Sequence, residues 1–372
     1  KNSTTNGDVF VTVTGTSASN SLTINGAVTT NGSRTIGAIV NSGTLVLNNT
    51  ISNGGGANNG FWVTLNGGTL DLNNAGAISN NDFAAHGNNG FIIAGGTLDN
   101  TSGSAVTLNT NAGMGIGING NFAFSTSGGT SANNLSLGTN GVTLGTPAGT
   151  SRTITTNGSA TLTIGGVISN GTTANSIIKA GTGTLKLSGM DTYTGSTSIT
   201  DGTLDVASGG SIATSSGLTV NGASAVLAGA GTVSAINLTA GAISPGDSGI
   251  GTLSGTSLAW NGGSLNFDLN PSGTTSDMLA LTGDFGPGTG STFVFNLSGG
   301  QAGQTYTLVT FGSTSFASAS QFTSTGVNGS FTLNGGNLTF TAVPEPSTVA
   351  LMAIGLGAFA WRLRRVRHPR WS

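Results

Sequence analysis

The sequence predicts an all-β fold, a right-handed parallel β-helix, and three observations carry that reading. Short runs alternate apolar and polar residues with period two, turn dipeptides separate them, and a diverged repeat of about 20 to 30 residues recurs. The alternation is clear at 9–14, 21–25, 44–48, 161–164 and 184–188, each the pattern of a half-buried strand. Asn-Gly, Gly-Gly or Ser-Gly follows nearly all of them within a few residues. Those dipeptides tolerate the positive φ that closes a tight turn. Before residue 345 no stretch has a helical period.

The repeat shows best in Gly-Thr-Leu, which begins at Gly43, Gly68, Gly96, Gly183, Gly202 and Gly251, with steps of 25 and 28 residues between the first three. Ile-Ser-Asn recurs at Ile51, Ile78 and Ile168, and Ser-Arg-Thr-Ile at Ser33 and Ser151. Strands repeating at this interval build a solenoid whose coils stack Leu, Ile and Val inward on one another, leaving edges unpaired only at the ends. At roughly 22 residues per coil the body would make on the order of 15 coils, a rod of roughly 70 Å. From about Gly255 the texture changes: Gly-Thr-Leu stops and aromatics become denser, from Trp260 and Phe267 through Phe331 and Phe340. Either a cap over the last coil or a small β-sandwich accounts for this. The expected organisation is a solenoid over 1–254, that cap or sandwich over 255–342, and a distinct tail over 343–372.

Composition supports the scheme and removes alternatives. Of 372 residues 65 are Gly and only 6 % are charged, against about a quarter charged in ordinary globular chains. Disorder driven by charge is excluded by a net charge of -2 with 36 % apolar residues. Seven prolines and the lack of a three-residue glycine period exclude collagen. Five of the ten Lys and Arg lie in the last eleven positions, so the body is mildly acidic and has no basic stripe for nucleic acid. The absence of cysteine removes disulfides, thiolate zinc sites and cysteine nucleophiles. The first residue is Lys1 rather than Met, the expectation for a processed or trimmed product.

Two segments carry family resemblances. Residues 178–189, with Lys179, Gly181, Gly183, Leu185, Leu187 and Ser188-Gly189, continue through Tyr193-Thr194-Gly195 to Gly202-Thr203-Leu204. This order resembles the autotransporter-associated β-strand repeat, which implies a surface-exposed β-helix and no catalytic residue. Downstream, Ser244-Pro245-Gly246-Asp247-Ser248 before Gly251-Thr252-Leu253 is similar to the segment that closes such arrays, with Gly249-Ile250 in place of the usual proline.

The tail has three parts in order: Val343-Pro344-Glu345-Pro346-Ser347-Thr348, an uncharged stretch from Val349 to Trp361, and then Arg362, Arg364, Arg365, Arg367 and Arg370. It closely resembles the PEP-CTERM sorting signal of Gram-negative bacteria that make exopolysaccharide. In that family an integral membrane enzyme, exosortase, is thought to recognise Pro-Glu-Pro and process the protein for surface delivery. The resemblance makes Pro344, Glu345 and Pro346 the sorting motif. The physics of the tail agrees with the topology. The 15 uncharged residues 347–361 reach about 22 Å as a helix, workable in a ~30 Å hydrocarbon core when Trp361 and the arginines reach the interface. Val349, Leu351, Ile354, Leu356, Phe359 and Trp361 would form the membrane segment. The arginines would stay cytoplasmic and place the body on the far side of the inner membrane.

Other candidate chemistry is weaker. Ala84-Ala85-His86 and Gly246-Asp247-Ser248-Gly249 resemble the His and Ser signatures of trypsin-like proteases, but a solenoid would hold His86 and Ser248 several coils apart. Asp71, Asp99 and Asp205 each follow the Leu of Gly-Thr-Leu. They are expected at equivalent outward positions, solvated rather than stacked into a calcium or polysaccharide-cleaving site. Gly113-Met114-Gly115-Ile116-Gly117 lacks the following helix and lysine of a phosphate loop. Phe61, Trp62 and Phe91 are expected to pack rather than to stack on sugars. The reading is therefore a non-enzymatic, exported structural or adhesin-like protein with no cofactor or metal. Its partners would be an exosortase-type enzyme, the inner membrane before processing, and exopolysaccharide or other surface proteins. The alternatives are a β-helical polysaccharide lyase or hydrolase, and an autotransporter-like passenger.

Overall fold

The computed structural model describes residues 9–15, 20–30, 36–53, 61–78, 89–109, 115–125, 133–145, 150–247 and 249–344. Apart from a single turn of 3-10 helix at Ala319–Gln321, the regular elements among them are strands. They coil into a parallel β-solenoid with three faces. The long face holds 13 strands, from Ser21–Ile24 to Ser313–Thr314, each pairing in parallel with its counterpart one coil earlier. A second face begins as the pair Val28–Thr30 and Ile51–Asn53 and becomes a ten-stranded sheet from Val106–Thr107 to Phe322–Thr325. Hydrogen bonds from Ile51 N to Gly76 O (3.0 Å) and from Asn109 N to Ala75 O (2.8 Å) join the two parts. The third face runs from Val9–Val13 to Ile168–Ser169 and resumes at Ser211–Ile212, with Met190 as a parallel bridge to Ser211.

Coils are longer on average than the repeat suggests. The step from Val220 to its partner Leu238 is 18 residues, whereas that from Ala123 to Thr155 is 32. Thirteen strands on the long face give a rod of roughly 58 Å at ~4.8 Å per coil, shorter than the expected 70 Å. Loops between strands absorb the extra residues, and loop length has no fixed relation to rise.

The alternation places every second side chain inside. On the ten-stranded face Val106, Leu135, Leu162, Leu185, Leu204, Leu227, Ile243, Leu265 and Phe295 stack in register, one above the other, and all are buried. Each such side chain contributes about 1.5–3 kcal/mol by leaving water. Outside, side-chain amides repeat the ladder: Asn48 Nδ2 donates to Asn25 Oδ1 (2.7 Å) and Asn73 Nδ2 to Asn48 Oδ1 (2.8 Å). This satisfies polar groups without ion pairs, as a chain so poor in charge requires.

Gly-Thr-Leu has a steric cause. Gly43, Gly68 and Gly96 stack with φ of 74°, 67° and 73°. A Cβ on Gly68 would lie 2.4 Å from Gly43 O, the oxygen that accepts from Thr69 N at 2.8 Å. Glycine lets adjacent coils close to hydrogen-bonding distance at this corner, and the Leu that follows turns inward.

Past residue 255 the same faces continue. Leu258–Trp260 pairs in parallel with Asp284–Gly286, and Ser264–Leu269 with Phe293–Gly299. The interior here is aromatic: Trp260 lies 5.3 Å from Phe293 and 5.4 Å from Phe295, and Phe316 lies 4.6 Å from Phe322. Parallel pairing ends at a hairpin, Gly329–Asn334 with Asn337–Ala342, whose second strand pairs antiparallel with Thr305–Thr310. Phe331 and Phe340, 5.0 Å apart, continue the aromatic packing onto it.

Candidate functional site

The segment that carries the repeat resemblance is held by polar side chains turned inward, a feature that strand alternation alone did not single out. Lys179 occupies an inward position of Ser176–Ala180 and is 0 % exposed. Its ammonium donates to Ala180 O (2.8 Å), Gly181 O (2.6 Å) and Asp201 O (3.0 Å), so all three protons are used at one corner. Burial lowers its pKa to about 8, against an opposing pull from Asp201. Arg152, one strand earlier and 2 % exposed, plays a parallel part: its Nε donates to Ile118 O (2.9 Å) and Leu144 O (3.1 Å). Tyr193 is fully buried, and its hydroxyl meets Thr197 Oγ1 (2.7 Å), which in turn meets Ser215 Oγ (3.1 Å). The Lys and Tyr of the repeat are thus staples across corners, which explains their presence without chemistry.

Asp191 belongs to the same coil. Its Oδ1 accepts from Ile168 N (2.8 Å), Oδ2 has no hydrogen-bond partner, and the residue is 3 % exposed. Desolvation pushes its pKa up to about 7 from 3.8, the backbone bond opposing. The folded state therefore binds a proton that the unfolded chain releases. Stability from this group is full below pH 3.8 and is lost as pH rises through about 7. Denaturant midpoints should fall between pH 5 and pH 8, with a loss of stability from this group of about 3 kcal/mol at most, and Asp191→Asn should flatten the profile. A wild-type midpoint insensitive to pH would contradict this.

The three aspartates expected at equivalent positions are not equivalent. Asp71 and Asp99 are register partners on the long face, whereas Asp205 lies on the ten-stranded face. Nor are the first two solvated: they are 4 % and 0 % exposed. Asp71 accepts from Thr101 N (3.0 Å), Asn73 Nδ2 (3.0 Å) and the Thr101 hydroxyl, because the turn after Asp99 folds over it. Gly-Thr-Leu encodes a corner and an inward Leu, and these recur on more than one face.

Asp205 pairs instead with Lys186, the adjacent residue on its face, at 3.1 Å. Lys186 also meets Asp247 Oδ1 at 2.6 Å, although Asp247 follows a strand three positions further along the sheet. The chain after Pro245 folds back across the outside of the sheet, with Gly246 N donating to Gly229 O (2.9 Å). Small residues make room: a Cβ on Gly229 would lie 2.7 Å from Asp205 Oδ1. At the other end of the strap Asp277 accepts from Gly251 N and Asp268 N, both 2.9 Å, and burial pushes its pKa up to about 6. Burial would lower the Lys186 pKa, but hydrogen bonds to Asp247 and Asp205 raise it overall. This cluster fastens a strap, its cation held between two carboxylates.

Of the remaining candidates, His86 and Ser248 lie outside the described residues. Phe61 and Phe91 are core residues, 4 % and 0 % exposed. Gly115–Ile118 is a strand, not a loop before a helix. Among the described residues no group of three His, Cys, Asp or Glu is placed to hold a metal ion.

The sorting tail begins where the described residues end. Ala342 is buried; its N donates to Gln304 O (3.0 Å) and its O accepts from Gly303 N (2.7 Å). Val343 N donates to Asn328 O (2.8 Å), the last such backbone bond along the chain among the described residues, while Val343 and Pro344 are exposed. Glu345, Pro346, Val349, Leu351, Ile354, Leu356, Phe359, Trp361, Arg362, Arg364, Arg365, Arg367 and Arg370 lie outside the described residues. Among the described residues no helix is long and apolar enough to cross a membrane.

Comparison with known families finds two matches, each covering a small part of the chain. Residues 177–206 match the passenger-associated-transport-repeat, and residues 342–365 match the PEP-CTERM protein-sorting motif. No curated protein matches the chain. The sorting motif implies export that depends on an exosortase-type membrane enzyme, and a passenger-type repeat in a β-solenoid fits a surface-directed protein.

Proposed function

We propose that this chain is a non-enzymatic structural or adhesin-like protein, a rod displayed at the cell surface or in the extracellular matrix of a Gram-negative bacterium. The observation that carries the reading is the order of events at the C-terminus. Val343 is still fastened to the solenoid by its N–H, Pro-Glu-Pro follows at 344–346, and an uncharged stretch and five arginines complete the tail. In this scheme residues 349–361 hold the precursor in the inner membrane, the arginines keep the end cytoplasmic, and processing releases the rod for delivery. The body supplies reach and a sparsely charged, repetitive surface for exopolysaccharide or other surface proteins. Terminal aromatic packing and the antiparallel hairpin close one end of the solenoid against edge pairing.

A polysaccharide-cleaving role finds little support. Of the described cations, Arg152 and Lys179 face inward onto carbonyls and Lys186 is paired with two carboxylates. Protease treatment of intact cells tests display. Antibody against the body should lose its signal on shaving while a cytoplasmic marker is kept, and a signal that resists shaving in intact but not lysed cells would contradict the reading. Turnover of neutral or acidic glycans by the purified chain would contradict its non-enzymatic part.

A further inference from the structure

We propose that the end face of the solenoid beside Pro344 is part of the surface gripped by the enzyme that processes the tail, so that recognition extends beyond the sorting motif. The inference rests on the function proposed above. Val343 is fastened through its N–H to Asn328 O at 2.8 Å. Glu345 can lie no further than about 7 Å from it, two residues at most 3.6 Å each. A folded domain of about 100 residues has a radius of gyration near 13 Å. Any such domain that closes on Glu345 must touch the face from which the motif emerges. The other side is equally close. Only five residues, 344–348, separate Val343 from the apolar stretch, which therefore begins at most about 22 Å away. The processing enzyme works in a gap between a folded end and a membrane.

That face is shaped for close approach. Beside Pro344 lies an open cleft of about 290 Å³ lined by Gly299, Gly300, Ala302, Gly326 and Asn328. Side chains cannot fill it from Gly299 or Gly326: a Cβ there would lie 2.4 Å from Leu269 O or 2.1 Å from Leu297 O, and both glycines have positive φ. No charged residue occurs from 285 to 344, so the motif's glutamate is the first charge in the sequence after Asp284. The occupant is a membrane-bound enzyme that accepts a short acidic Pro-rich segment, placed there by the length of chain between Val343 and the apolar stretch.

The test uses the full chain in its exporting host. Ala302 and Asn328 have exposed side chains, so Ala302→Trp or Asn328→Arg fills or charges the cleft without entering the core. Either should slow conversion of precursor to mature protein at least fivefold with an unchanged circular dichroism spectrum. A ten-residue Gly-Ser spacer between Val343 and Pro344 of the otherwise wild-type chain, which keeps the motif at its distance from the apolar stretch but carries the end face away from it, should slow conversion to a similar degree. Wild-type rates in both variants would overturn the inference, as would a wild-type rate in the spacer chain. An unprocessed wild-type chain would overturn the function it rests on, a different result.

Discussion

Full-length precursor should accumulate in the inner membrane when Glu345→Gln is introduced, with the processed fraction falling at least tenfold. Glu345 is the only charged residue between Asp284 and Arg362. A single carboxylate in an uncharged stretch is a point that a recognition site can read by charge-assisted hydrogen bonds, each worth about 1.5–3 kcal/mol, or roughly 10- to 150-fold. The substitution keeps shape and removes charge, so it separates recognition from folding. Pro344→Ala with Pro346→Ala should act in the same direction for a different reason. Proline fixes φ and keeps the preceding residue extended, which prevents a helix in the apolar stretch from growing back through the motif. Pulse-labelling followed by membrane fractionation reads both. Processing at the wild-type rate in all three substitutions would remove the sorting assignment.

Replacing the buried ammonium should have the largest effect on the fold. Lys179→Met keeps length and leaves Ala180 O, Gly181 O and Asp201 O without their donor. Each buried acceptor left unpaired costs about 1–3 kcal/mol, and with partial relaxation the loss should be about 3–5 kcal/mol. In a solenoid such a loss is local first, because each coil contacts mainly its neighbours. Hydrogen exchange should accelerate in Ser176–Ala180, Thr197–Ile199 and Thr203–Val206 before it changes in Ser264–Leu269. Uniform acceleration along the rod, or none, would show that the corner is not held by this side chain.

Much of this was legible from residue order. Alternation at 44–48, 161–164 and 184–188 marked strands that are present, and their inward Leu and Ile are buried. Glycine at Gly43, Gly68 and Gly96 marked corners, since positive φ and close approach of coils are local demands. Lys179 and Tyr193 were visible as motif residues, but their direction was not, because an inward Lys becomes tolerable only when three carbonyls of two coils converge on it. The same limit applies to Asp71, Asp99 and Asp205. Their shared local motif predicted a shared face, and coil lengths of 16 to 32 residues moved one of them to another.

What the sequence determined by itself is therefore local or terminal: strand character, glycine corners, an aliphatic interior, and a tail whose three parts need only their order to be read. Tertiary structure alone decided which coils stack in register and which polar groups are buried. It also decided that Asp247 folds back to Lys186 across 61 residues, and that Val343 is fastened to Asn328 directly before Pro344. The physical reason is the same in each case. Alternation and turn propensity act over a few residues, whereas register and burial follow from loop lengths and from the carbonyls and side chains that neighbouring coils bring together.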